Sequence, residues 1–231
     1  MNDRGQVSGE GAYVRYEMWL RGLETRVNSL VGLSGSFFAA RRDVCRCWAP
    51  DRQSDFNTVL NAVVLGLRGV QDTRSIGYYR DIVDRRREFG RKVRTVVRGL
   101  FVLSSTPGML NPLRFGLFSW QLASHKLCRW LVPFAMIAAL ITGAALARRS
   151  WVYAAWTASQ GVFYLAALAG IATGHRALRI PAFFVVANAS VFVAWLRFIR
   201  GDRIVSWTPS ERVEALPQIG STGAKSNEVL G

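Results

Sequence analysis

The sequence predicts an α+β front segment with amphipathic helices lying at a membrane surface, followed by about three transmembrane α-helices. Three observations carry this. Residues 1–129 hold 21 Lys and Arg against 11 Asp and Glu, whereas residues 130–200 hold three long apolar runs with almost no acid. Each run is near the roughly 20 residues that a helix needs to cross the hydrocarbon core. The front part mixes helical periodicity with a Gly/Ser-rich turn that leads into a short apolar run, the mark of a turn and strand.

The elements follow in order. Residues 1–12 are a short polar N-terminus, and because "MNDRGQVSGEGAYVRYE" has no apolar core, no signal peptide is expected to open the chain. Residues 13–30 carry helical spacing through Met18, Leu20, Leu23, Val27 and Leu30. "GLSGSFFAARRDVC" (32–45) predicts a tight turn, then a buried strand over Phe37, Phe38, Ala39 and Ala40 that Arg41 and Arg42 end. "FNTVLNAVVLGLRG" (56–69) predicts a helix ended by Gly66 or Gly69. The segment 13–77 therefore reads as α+β.

Residues 78–129 read as interfacial helices. Over 82–101, Ile82, Phe89, Val93, Val96 and Leu100 fall on one side of a helix, and Arg87, Arg91, Arg94 and Arg98 form a stripe on the other. The apolar side suits lipid or core; the basic side suits lipid headgroups or the phosphate of a substrate. "STPGMLNPLRFGLFSWQLASHK", broken by Pro107 and Pro112, is expected to lie along the membrane surface.

The expected spans are 130–147, 151–172 and 180–199, with Trp130, Trp151 and Trp195 near their ends as interfacial anchors. Ala154 with Ala158 and Ala166 with Gly170 have the spacing that lets helix backbones approach closely. Gln160, Asn188 and Ser190 suit hydrogen bonds between helices or the lining of a polar passage. Residues 201–231, rich in Gly, Ser, Pro and Thr, are expected to be a disordered tail.

The net charge of +15 points to acidic partners: nucleic acid, anionic headgroups or a phosphorylated substrate. Three membrane runs account for the excess through headgroups and the positive-inside rule, which argues against nucleic acid and puts the basic front half in the cytoplasm. Arg outnumbers Lys 27 to 3, favouring fixed forks over point charges. Cys45, Cys47 and Cys128 are odd in number and have no nearby His, so they form neither a disulfide framework nor a zinc site and read as free thiols in a reducing cytoplasm.

In this order the segments resemble the C-terminal half of a membrane-embedded family 2 glycosyltransferase, the group of cellulose and hyaluronan synthase relatives. "GLSGSFFAARRDV" resembles the family's small-residue stretch and strand on the acceptor side of the site, which implies that Gly35 and Ser36 leave room for a sugar. "SDF" (54–56) resembles its acidic motif, which implies that Asp55 is the catalytic base. "EFGRK" stands where the family has a Gln or Arg, two variable residues, Arg and Trp, so Glu88 and Arg91 take that place, with Arg94 beside them on the diphosphate. "RKVRTVVRGL", "LNPLRFG", "SHKLCRWLVPF" and "GDRIVSWTPSER" resemble its interfacial helices, first span and tail, and the likeness covers about 13–212.

The resemblance implies a partial GT-A-like catalytic segment and transfer of a sugar from a nucleotide sugar, such as a UDP-sugar, with Mg2+ or Mn2+. The acceptor is a glycan or lipid-linked chain, the setting is cell-surface polysaccharide synthesis at the cell membrane, and lipids are partners. The chemistry needs a carboxylate to take the acceptor proton and cations to neutralise the leaving diphosphate. Two positions depart from the family: Lys92 replaces Trp, and Glu88 replaces Gln, where an acid would face phosphate unless it pairs with Arg85, Arg91 or Lys92. The family's Asp-x-Asp metal motif does not occur, so the chain is expected to be a fragment or one part of a split enzyme that works with a donor-binding half. The other reading is a non-catalytic membrane docking protein on the same scaffold; without the resemblance, Asp55 reads as an acid at a helix N-terminus.

Overall fold

A computed structural model describes residues 8–35, 37–46, 52–75 and 85–203, and all regular structure among them is helical. Helix α1 (Ser8–Val27) begins earlier than its apolar periodicity, and α2 (Ser54–Val64) ends where Gly66 takes a φ of +71°. Helix α3 is Arg85–Ser105. Pro107 then opens a 3-10 turn (Pro107–Leu110) and Pro112 opens α4 (Pro112–Phe115), where the Asn111 side chain caps the amide of Leu113. Helix α5 (Leu117–Leu122) runs through a π-helical turn (Ala123–Leu127) into α6 (Cys128–Leu146). Helix α7 (Trp151–Thr173) starts at the Ser150 cap and stops at Gly174, and α8 (Arg179–Ile199) follows a 3-10 turn at Arg176–Leu178.

Among the described residues three helices are long and apolar enough to cross a membrane: 117–146, 151–173 and 176–199. They match the three expected runs, and the first is longer because α5 and the π turn continue into α6. Small residues set the helix spacing. A Cβ on Gly143 would lie 2.6 Å from Thr157 Oγ1, and one on Gly170 would lie 2.6 Å from the Leu178 carbonyl oxygen. Gln160 donates across to the Met136 carbonyl at 3.1 Å, as expected of a polar residue between helices. Asn188 and Ser190 instead bond back to Phe184 and Ala187 of their own helix.

Helix α8 is the hub. Near its start Phe184 packs on Phe163 of α7; near its end Trp195 packs on Phe134 of α6 and bonds to Trp130. In a simple up-down-up bundle Trp195 would stand beside the far end of α6, so α8 crosses the base of the α6–α7 hairpin. Helix α3 lies along α8, with Val93 and Val97 against Ala194 and Phe101 edge-on to Phe198. The apolar side of α3 thus meets protein.

The main core sits where the front half meets these helices. Phe56, Val59 and Leu60 of α2 pack with Leu100 and Val102 of α3, Phe118 and Leu122 of α5, and Trp130, while Trp195 and Phe198 close it. Trp130, expected as an interfacial anchor, is a core residue that meets Phe56 edge-on; Trp151 is 78% exposed.

One expectation is corrected. The front segment is not α+β among the described residues: Phe37–Ala40 has no regular structure, and Phe37 is 61% exposed. A strand needs a neighbour to satisfy its amides and carbonyls, and no other extended segment of the described residues pairs with it. Residues 117–127, part of the segment expected along the membrane surface, are continuous with the first long apolar helix. Cys45 and Cys128 are free thiols. Ser36, Cys47, Ile82 and the tail from residue 204 lie outside the described residues.

Candidate functional site

The turn at residues 31–35 is held from four directions. Leu30 first bonds through its amide to the Gly69 carbonyl at 2.9 Å, with the Ser29 hydroxyl accepting from Gly69 at 3.0 Å. Glu24 of α1 accepts from the Val31 amide at 3.5 Å, and Arg21 donates to the Leu33 carbonyl at 3.4 Å. The Lys126 ammonium presses on Gly32, where a Cβ would lie 2.9 Å from it. The Asp55 carboxylate lies beside Gly35, where a Cβ would be 3.6 Å from Oδ2, an ordinary contact distance. At Gly32, by contrast, an added Cβ would crowd the ammonium.

Asp55 stands in the first turn of α2, 8% exposed, and Gln53 donates to its Oδ2 at 3.1 Å. A carboxylate at this end of a helix faces unpaired backbone amides and the positive end of the dipole. Its neighbour Phe56 is wholly buried and anchors the helix against Trp130. The structure therefore brings Asp55 and Gly35 together, two of the residues singled out in the sequence.

Behind them lies a second group of charges. His125 is placed between two carboxylates of α1, with Nδ1 against Glu24 and Nε2 3.5 Å from Glu17. Glu17 also meets Arg129 at 3.2 Å and Arg21 at 3.7 Å. Burial by itself would raise the Glu17 carboxyl, but the hydrogen bond and charge of His125, with Arg21 and Lys126, hold it below the usual carboxylate value.

Glu88 and Arg91 do not reach this turn through any described contact. They pair with each other at 2.6 Å, and Lys92 stands 3.5 Å from Glu88. This is the pairing that an acid at position 88 was expected to need, and it keeps the Glu88 carboxyl below its usual value against the opposing effect of burial. Lys92 also lies over the Phe183 ring at 4.6 Å. Arg94 is half-buried on the same face of α3.

The arginine of that stripe that reaches α2 is Arg98, which donates to the Arg52 carbonyl just before Asp55's helix, while Gly99 beside it packs on Gln53 and Trp130. Arg98, His125, Lys126 and Glu24 are the members of this neighbourhood that the sequence did not single out as site residues. For Arg98 the signal was present: it shares the stripe of Arg91 and Arg94 and lies one turn closer to the glycine that lets α3 approach α2.

Among the described residues no group of three His, Cys, Asp or Glu side chains is placed to hold a metal ion. These residues supply no ligand set for the divalent ion that the resemblance implies. No family model, curated protein or solved structure matches the chain.

Proposed function

We propose that the chain is the acceptor-site and membrane half of a membrane glycosyltransferase, which transfers a sugar from a nucleotide sugar to a glycan or lipid-linked acceptor in cell-surface polysaccharide synthesis. A separate donor-binding segment or chain supplies nucleotide and metal binding, since the Asp-x-Asp motif does not occur in this sequence. The observation that carries the reading is the Asp55 carboxylate, held at the start of a buried helix and against the bare backbone of Gly35.

In this reading the acceptor hydroxyl lies beside Gly35 and gives its proton to Asp55 as its oxygen attacks the donor sugar. The bond from that sugar to the diphosphate breaks, and the developing negative charge is met along the stripe of Arg91, Arg94 and Arg98. The resemblance gives Ser36 the same acceptor-side role as Gly35. Glu88 keeps Arg91 oriented through their bidentate pair.

The test uses the chain assembled with, or fused to, a donor-binding half. Asp55→Asn keeps the shape and removes the proton-accepting charge, so expression should hold while turnover falls about 100-fold or more. Asp51→Asn is the control, and equal losses at both positions would contradict the assignment. If neither substitution lowers turnover, the chain is a docking protein on this scaffold rather than the carrier of the base.

A further inference from the structure

We propose that Lys126 is a positioning residue for Asp55: carried on the first long apolar helix, it balances the Asp55 carboxylate across the Gly32–Gly35 turn and fixes where that carboxylate stands. The functional meaning rests on Asp55 being the proton acceptor; the charge relationship does not.

Lys126 reaches back into the front half rather than out to solvent. Its ammonium lies 5.0 Å from the ring centroid of Phe56, the buried neighbour of Asp55, and against the backbone of Gly32. The π turn at Ala123–Leu127 makes this possible. Consecutive residues of an α-helix diverge by about 100°, and one π turn shifts the register of the residues after it. His125 and Lys126 accordingly both face the front half, one toward α1 and the other toward the 31–35 turn.

The charges then sort into two sets. Glu17 and Glu24 are engaged by His125, and Glu17 also by Arg21 and Arg129. Asp55 has the neutral Gln53 amide as its hydrogen-bond partner among the described residues. Lys126 makes no direct ion pair among them, and its ammonium stands at Gly32 and over the ring of Phe56, at the turn whose Gly35 lies beside the Asp55 carboxylate. A buried carboxylate without a counter-charge is costly, and a half-buried ammonium across the same turn relieves it.

A thermal double-mutant cycle on the full chain in detergent tests this, read as apparent Tm from tryptophan fluorescence. Lys126→Met should lower Tm by about 5 to 10 °C. Adding Asp55→Asn should recover at least half of that loss, whereas adding Glu17→Gln should recover none. Simple addition of the Asp55→Asn and Lys126→Met losses, or equal recovery with Glu17→Gln, would overturn the pairing. If Lys126→Met does not accumulate, Gly32→Ala replaces it: the new methyl displaces the ammonium while keeping the charge, and its loss should likewise shrink with Asp55→Asn. No shrinkage there would also overturn it.

In the enzyme assembled with a donor-binding half, Lys126→Met should lower kcat about 10-fold with the donor KM unchanged, and Lys126→Arg should restore part of it. A fall in donor affinity with kcat intact would contradict a positioning role. If every assembly lacks turnover the glycosyltransferase reading falls, and the thermal cycle still decides Lys126.

Discussion

The indole N–H of Trp195 donates to the backbone carbonyl of Trp130 at 2.9 Å, fastening the end of α8 to the start of α6. Its ring meets Phe134 and Phe198 edge-on, so one side chain joins two helices and the main core. Trp195→Phe keeps an aromatic ring and removes the donor, and should cost about 1 kcal/mol of stability. Trp195→Ala empties the site and should cost about 3 to 5 kcal/mol. Apparent Tm in detergent checks both, and equal losses would show that the hydrogen bond rather than packing holds the joint.

Two glycines of α7 should answer oppositely to the same change. At Gly170 an added Cβ would meet the Leu178 carbonyl at 2.6 Å, and backbone cannot swing aside, so Gly170→Ala should destabilise by about 1 to 3 kcal/mol. At Gly161 nothing stands within 4 Å of the new atom, so Gly161→Ala should be neutral or stabilise by up to about 1 kcal/mol. A stable Gly170→Ala protein with unchanged Tm would mean that α7 and the 3-10 turn before α8 do not approach there.

Acid should weaken the joint between α1 and the first long apolar helix. The folded-state pKa of Glu17 is lowered, so its contribution is complete above the unfolded value and is lost as pH falls through the lowered one. His125, Arg21, Lys126 and Arg129 are the cations around it. The wild-type chain should therefore be more stable than Glu17→Gln at neutral pH, and the gap should close below about pH 4.5. A gap independent of pH between 3 and 7 would show that shape rather than charge makes Glu17 matter.

The three long apolar helices predict retention in membranes after carbonate washing. The excess of arginine in the front half predicts that it faces the cytoplasm, so a Ser75→Cys chain should resist an impermeant thiol reagent on intact cells and react after the cells are opened. Labelling from outside would reverse the orientation.

The spans were legible because a run of about 20 apolar residues has few other uses. The helices α1, α2 and α3 were legible by periodicity, and Gly66 by its place after the last apolar residue of α2. The strand at Phe37–Ala40 was misread because four apolar residues after a turn fit a strand, a buried loop or an exposed one equally well; burial depends on neighbours that the run does not name. The partner of α3 was hidden for the same reason, since an amphipathic face states that something apolar covers it and not whether that is lipid or α8. Asp55 and Gly35 were singled out through the resemblance, and the structure places them close together, but Lys126 was not singled out. A lysine just before an apolar run reads as an interfacial charge, and a π turn leaves no pattern of its own in a sequence.

The bond from Trp195 to Trp130 joins positions 65 residues apart, and Phe198 closes a core begun by residues of α2. During synthesis the front half leaves the ribosome first, and the core that Phe56, Val102 and Trp130 share is closed only by the last long helix. A ribosome stalled before residue 195 would therefore hold a chain whose interior is open to chaperones and proteases. The membrane helices thus act as the final step in folding the domain that precedes them.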